Sequence, residues 1–216
     1  MPNFDALRTG NLGPLAYLCK PQPPAELLGC WPLTSTSDKA DLSRYGNNYS
    51  GTLSAASQTN ALAKVIMQTN ATFPCVLDLG KPFSIDFFVG VSNGAGAGSL
   101  SGFSLGNLNF TLDSSSNSGA HPDGFSYGGS TLATGAAKIQ AAGSHVAITY
   151  DGTTLRRFIN GVLNLTATVT MTGIANGFSC YQNNVWCFGN MRIVQKCLGM
   201  TSYSVPATYY TGYEAL

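Results

Sequence analysis

The sequence predicts an all-β protein, built as a two-sheet antiparallel sandwich of the jelly-roll kind. Three observations carry that prediction. Apolar residues recur at every second position over long stretches, Asp-Gly and Asn-Gly pairs separate successive stretches, and no segment keeps apolar residues at helical spacing for three turns. Composition agrees. Only 10% of the 216 residues are charged, and the two glutamates, Glu26 and Glu214, leave a long surface helix or a coiled coil without its usual material. With 44% hydrophobic and 11% aromatic residues, the chain can fill a core and is not a disordered polymer. Its length suits one large β domain.

Residues 1–28 read as an extended arm, because Pro2, Pro14, Pro21, Pro23 and Pro24 interrupt any ladder of hydrogen bonds. Phe4, Leu15, Tyr17 and Leu18 are its apolar side chains, suited to insertion into a neighbouring subunit. Residues 29–200 form the sandwich, and residues 201–216 a tail packed on it. Phe83–Val91 alternates over nine residues, with Phe83, Ile85, Phe87, Val89 and Val91 on one face. Leu105–Leu112 alternates again, turning Leu108, Phe110 and Leu112 inward. His145–Tyr150, Leu155–Ile159 and Val162–Thr170 are separated by Asp151-Gly152 and Asn160-Gly161, pairs that accept the positive φ of tight hairpins. They form an antiparallel meander. Shorter strands follow at Phe178–Tyr181, Val185–Phe188 and Met191–Val194, whereas Gly94–Ser99 and Asp113–Gly129 read as loops. Phe87, Ile148 and Phe158 are expected between the two layers.

The six cysteines (Cys19, Cys30, Cys75, Cys180, Cys187, Cys197) contain no C-x-x-C pair, and the two histidines, His121 and His145, lie away from any cysteine pair. No zinc site is expected. Buried free thiols are the favoured reading, with a bridge between Cys180 and Cys187 left open. A net charge of +1 gives no footprint for nucleic acid or anionic lipid. No apolar run approaches the ~20 residues that span a bilayer, so no membrane insertion is expected. The opening Met1–Asp5 has neither a basic nor an apolar leader region. The expectation is assembly in a cytosol or, alternatively, a mature extracellular chain.

Three stretches together resemble the laminin-G-like, concanavalin A-like jelly-roll superfamily of lectins and glucanases. Gly29–Leu33 followed by Asp41–Asn48 is similar to that family's opening strand and its D-x-S-x-x-G-N loop. His145–Gly152 with Arg157–Gly161 resembles its W-H-x-V-A-x-T-Y-D-G … Y-x-N-G meander, although Gly143-Ser144 stands where the tryptophan usually does. Phe188–Ile193 resembles its G-x-I-D-x-x-R-I strand, with Asn190 in place of the usual aspartate, a change that weakens any carry-over of a cation site. The tail, Arg192-Ile193 … Tyr203 … Pro206 … Tyr209, resembles the ending of laminin-G-like segments in bacteriophage virion proteins, without that ending's basic residue.

The resemblance implies a concanavalin A-like fold and opens a glucanase reading, which the residues then argue against. Retaining glucanases carry alternate carboxylates on one strand, about 5 Å apart across the cleft. Here Glu26 lies in the arm and Glu214 near the end, and Asp86 has no acidic partner at positions 84 or 88. A lyase cluster would centre on His145 with Arg156 and Arg157, but a strand-capping or solvent-facing His145 is the simpler expectation. No Gly-x-Ser-x-Gly elbow occurs, since Gly98–Gly102 has serine at the wrong positions, and no helix follows Gly94–Gly98 to make a phosphate loop. Laminin-G-like rims can hold calcium, for which Asp113, Asp123 and Asp151 supply candidate oxygens; otherwise no cofactor is expected. For glycan binding the turn from Tyr181 to Trp186 offers amides and an aromatic, Asn183, Asn184 and Trp186. The expectation is therefore a non-enzymatic virion surface protein of a bacteriophage, a capsid decoration or tail-associated subunit. Its partners would be other virion proteins, further copies of itself in a homo-oligomer, and host surface glycan. The alternative is a carbohydrate-binding, lectin-like or receptor-binding module.

Overall fold

The computed structural model describes residues 23–33, 37–51, 71–91, 101–112, 123–135, 144–181, 186–199 and 201–205. These residues contain fourteen strands: β1 (Leu27–Trp31), β2 (Ala71–Phe73), β3 (Leu77–Asp78), β4 (Phe83–Val91), β5 (Ser101–Leu105), β6 (Leu108–Leu112), β7 (Asp123–Tyr127), β8 (Ser130–Gly135), β9 (Ser144–Tyr150), β10 (Thr154–Ile159), β11 (Val162–Thr168), β12 (Ile174–Ala175), β13 (Phe178–Tyr181) and β14 (Trp186–Val194). A first six-stranded sheet has the order β1-β14-β4-β9-β10-β11, and a second β2-β13-β5-β6-β7-β8; β12 and β3 form a small third pair. Every pairing is antiparallel, as a two-sheet jelly roll requires.

Alternation explains the core. Phe83, Ile85, Phe87 and Val89 of β4 and Val146, Ile148 and Tyr150 of β9 turn inward against Phe103, Leu105, Leu108, Phe110, Phe125 and Phe178 of the second sheet. Phe87 lies 5.3 Å from Phe103 and 5.8 Å from Phe178 between ring centroids, and Phe103 stacks on Phe110 at 4.8 Å. Truncating such a ring costs about 3–5 kcal/mol. The β9–β10–β11 meander forms as its turns predict: Asn160 and Gly161 take φ of 49° and 79°. Gly161 is required twice over, since a Cβ there would lie 2.1 Å from the Tyr203 carbonyl oxygen.

Several elements differ from the sequence expectation. Leu105–Leu112 holds a turn, because Gly106, at φ 58°, and Asn107 close a hairpin between β5 and β6. Asp123–Tyr127, inside the expected loop, is strand β7; Gly124 and Ser126 disguise it, while Phe125 fills the core. The expected strands at Val185–Phe188 and Met191–Val194 fall, from Trp186 on, in one strand, β14, whose register shifts between Gly189 and Arg192, where Asn190 takes φ 48°. That bulge separated the two halves of its pattern. Cys180 is an unpaired, buried thiol in the second sheet while Cys187 lies in the first, so the Cys180–Cys187 bridge does not form. Burial pushes the Cys75 thiol up to about 12 and the Cys180 thiol well above its ordinary value. Phe158 is fully buried, but its ring packs on Tyr203 outside the first sheet and not between the layers.

Candidate functional site

Each sheet also has an outer face, and the two are built differently. On the first sheet, register brings Phe158, Ala147, Asp86, Arg192 and Cys30 into one transverse row and His145 and Phe88 into the next. This face is covered. Residues 196–199 and 201–203 lie across it as a strap: Leu198 N–H donates to Ser84 Oγ at 2.8 Å, Ser84 Oγ donates to the Lys196 carbonyl at 2.9 Å, and Tyr203 N–H donates to the Gly161 carbonyl at 3.1 Å. From the other side, Leu42 and Leu198 pack on Leu27, Cys30 and Val194. Asp41 organises the Leu42 loop by accepting from the backbone N–H groups of Cys30, Ser43 and Asn47.

Under the strap sits a polar cluster. Asp86, 4% exposed, accepts from Arg192 Nε and lies 3.1 Å from Arg192 Nη2. His145 is 1% exposed, which corrects the solvent-facing expectation. Its Nδ1 is 2.6 Å from Tyr203 Oη, and its Nε2 is 3.6 Å from Asp86 Oδ1, too long for a hydrogen bond. Burial, reinforced by the Asp86 charge, pushes the Tyr203 phenol well above its ordinary range. Tyr203 therefore keeps its proton and shares one short hydrogen bond with Nδ1, whose direction follows the imidazole tautomer. Asp86 is thus engaged in an ion pair with Arg192.

Among the described residues no segment crosses the outer face of the second sheet, and in that sense it is open. Its register aligns Thr72, Ser179, Ser104, Asn109, Ser126 and Thr131 in one row across all six strands, and Gly102, Thr111, Gly124 and Thr134 in the next. None of these is charged. Thr72 and Ser179 share a hydrogen bond of 2.8 Å, and Thr111 Oγ1 accepts from Gly124 N–H. The side chains of Asn109, Ser126, Thr131 and Thr134 make no hydrogen bond among the described residues, so their donors and acceptors are offered outward. These four side chains border a depression of about 130 Å³ over β6, β7 and β8. Gly124 shapes it: a Cβ there would lie 2.2 Å from the Ala133 carbonyl oxygen. Beneath the floor Arg157, fully buried, donates to the Thr111 carbonyl at 3.0 Å and to Asn164 Oδ1, with the Phe125 ring 5.8 Å from its guanidinium carbon.

The sequence-expected residues lie elsewhere. Asn183 and Asn184, like Phe4, Leu15, Tyr17 and Leu18 of the arm, fall outside the described residues; Trp186 opens β14, paired with Val91. Asp113 is also outside them. Asp123 starts β7, and Asp151 is committed to its turn, accepting from Thr153 and Thr154 and bonded to Arg156 at 2.7 Å, contacts that hold its carboxyl well below the usual range. Among the described residues no three His, Cys, Asp or Glu side chains come together as metal ligands. Sequence reasoning missed the open face because alternating Ser, Thr and Asn on a strand signal only a wet side; which wet side stays bare depends on distant segments.

A model of the laminin-G-like family of the concanavalin A-like lectin/glucanases superfamily matches residues 67–190, more than half of the chain. The chain belongs to this superfamily. Solved concanavalin A-like structures share the fold at low identity. The Trypanosoma rangeli sialidase, in complex with 2,3-difluoro-KDN, superposes with a TM-score of 0.55 at 13% identity, over 82% of this chain and 31% of that one. The binding domain of Paraclostridial Mosquitocidal Protein 1 gives 0.51 at 12%, over 81% and 50%, and the Emp47p carbohydrate recognition domain 0.50 at 11%, over 81% and 97%. This chain thus spans half of the mosquitocidal binding domain and under a third of the sialidase. No curated protein matches the sequence.

Proposed function

We propose that this protein is a non-catalytic carbohydrate-binding module and that it takes glycans on the open face of the second sheet. One observation carries the reading: the side chains of Asn109, Ser126, Thr131 and Thr134, without hydrogen-bond partners among the described residues, converge on one depression beside rows of uncharged residues that no described segment covers. Amide and hydroxyl groups exchange bonds to water for bonds to sugar hydroxyls at little net cost, which suits reversible recognition. The likeness to a carbohydrate recognition domain supports the reading. The rim turn with Asn183, Asn184 and Trp186 is the rival location within the same function.

Titration against a panel of immobilised glycans tests this. Saturable binding lost in Asn109→Ala, with the melting temperature unchanged, is expected. Binding that survives there but disappears in Asn183→Ala or Trp186→Ala moves the site to the rim, and no binding to any glycan removes the function. The setting we propose is a virion surface, carried by the tail's resemblance to bacteriophage virion proteins, with the arm of residues 1–28 holding a neighbouring subunit. Deleting residues 1–28 is expected to abolish incorporation into particles while the sandwich stays folded; normal incorporation rejects that setting.

A further inference from the structure

Resting on the reading of the open face as a glycan site, we propose that its ligand is an uncharged polysaccharide bound along the chain, lying across the strands, with one sugar ring seated in the depression over β6–β8. The argument starts from charge. The six strands of the second sheet contain a single Asp, Glu, Lys or Arg, Asp123 at the start of β7, whereas Asp86, Arg156, Arg157 and Arg192 all belong to the first sheet. An anionic glycan would need cations to replace its counterions, and the open rows supply none among the described residues.

Length comes next. The row from Thr72 through Ser179, Ser104, Asn109 and Ser126 to Thr131 crosses five strand spacings, on the order of 24 Å. That is several sugar units of hydrogen-bonding surface. By contrast the depression, about 130 Å³, falls below the roughly 300–1,000 Å³ that buries a whole small ligand. One ring seated there and its neighbours laid along the row reconcile a small hollow with a long polar track. The polarity is unequal: at the β2 end Thr72 and Ser179 bond to each other, while at the β8 end the side chains are unsatisfied. The anchoring ring therefore sits at the β6–β8 end, and units towards β2 add smaller increments.

The experiment is calorimetric titration of the whole protein with neutral gluco-, xylo- and fructo-oligosaccharides of increasing length, with polygalacturonate and heparin as acidic probes, at low and high salt. Affinity is expected to rise at least tenfold from one sugar unit to four or five in the best neutral series, to change less than twofold with salt, and to be absent for both acidic polymers. Ser126→Ala should lower affinity about tenfold at every length, and Thr72→Val only for the longer chains. Affinity independent of length, preference for an acidic polymer, or steep salt dependence overturns the proposal while leaving a glycan-binding protein. Strong neutral binding untouched by both substitutions moves the chain off this face and also overturns it. Failure of every probe sinks the underlying function as well, so the two failures are distinguishable.

Discussion

The two outer faces of the sandwich begin from the same sequence rule and end as opposites. On β4, Ser84, Asp86 and Phe88 alternate with core residues just as Asn109 and Thr111 do on β6. Yet the first set is buried under a strap and the second is open. The difference lies in what the chain does more than a hundred residues later: Ser84 is covered through Lys196 and Leu198, and Asp86 is paired with Arg192. Covered groups must satisfy one another, so the first face concentrates charge in a closed network. An open face has water to satisfy it and is free to exchange that water for a ligand. On the proposed reading, stability and recognition are thereby divided between the two sheets.

Substitutions should sort along this division. The largest effect is expected at Asp86. Asp86→Ala leaves the Arg192 guanidinium, itself partly buried, without its carboxylate, and a loss of about 3–5 kcal/mol by chemical denaturation is expected with glycan binding by the folded fraction unchanged. A loss below 1 kcal/mol would show that the covered face is not held by its ion pair. Tyr203→Phe removes the hydrogen bond to His145 Nδ1 and leaves a second imidazole nitrogen unpaired, for about 1–3 kcal/mol. It should also speed alkylation of Cys30, which lies under the covering residues, while Cys75 and Cys180 stay inert in the folded protein. Unchanged Cys30 labelling would deny the strap its role.

Acid offers a smaller test. The Arg156 side chain, with backbone and hydroxyl donors of Thr153 and Thr154, lowers the Asp151 carboxyl below its ordinary value of 3.8. A depressed carboxyl stabilises the fold above its unfolded value, and that contribution fades as pH falls through the folded one. Asp151→Asn should therefore flatten the drop in melting temperature below about pH 4; an identical acid profile would contradict the pairing. Smallest of all, Ser126→Ala on the open face should change stability by less than about 0.5 kcal/mol. A large loss there would mean that the open face, too, is structural.

Local signals made most of the fold legible. Period-two alternation located β4 and β9 because nothing interrupts it, and Asp151-Gly152 and Asn160-Gly161 marked the meander by their tolerance of positive φ. Where a local irregularity intrudes, the pattern fades: the Asn190 bulge split β14, and Gly124 with Ser126 hid β7. His145 was misplaced for a different reason. A histidine at an outward position looks solvated until Tyr203, 58 residues away, closes over it. The open face was illegible by the same logic, since bareness is a property of the whole chain's path and of no single strand.

Arg157 gives this arrangement a mechanical consequence. Its guanidinium grips Asn164 in its own layer and the Thr111 carbonyl in the layer opposite, directly under the hollow. Any sideways slip of one layer over the other would take from a buried cation its acceptor in the opposite layer, the Thr111 carbonyl. The hollow is thus riveted from behind, and a polymer landing on it, as proposed above, would meet a floor already fixed in shape.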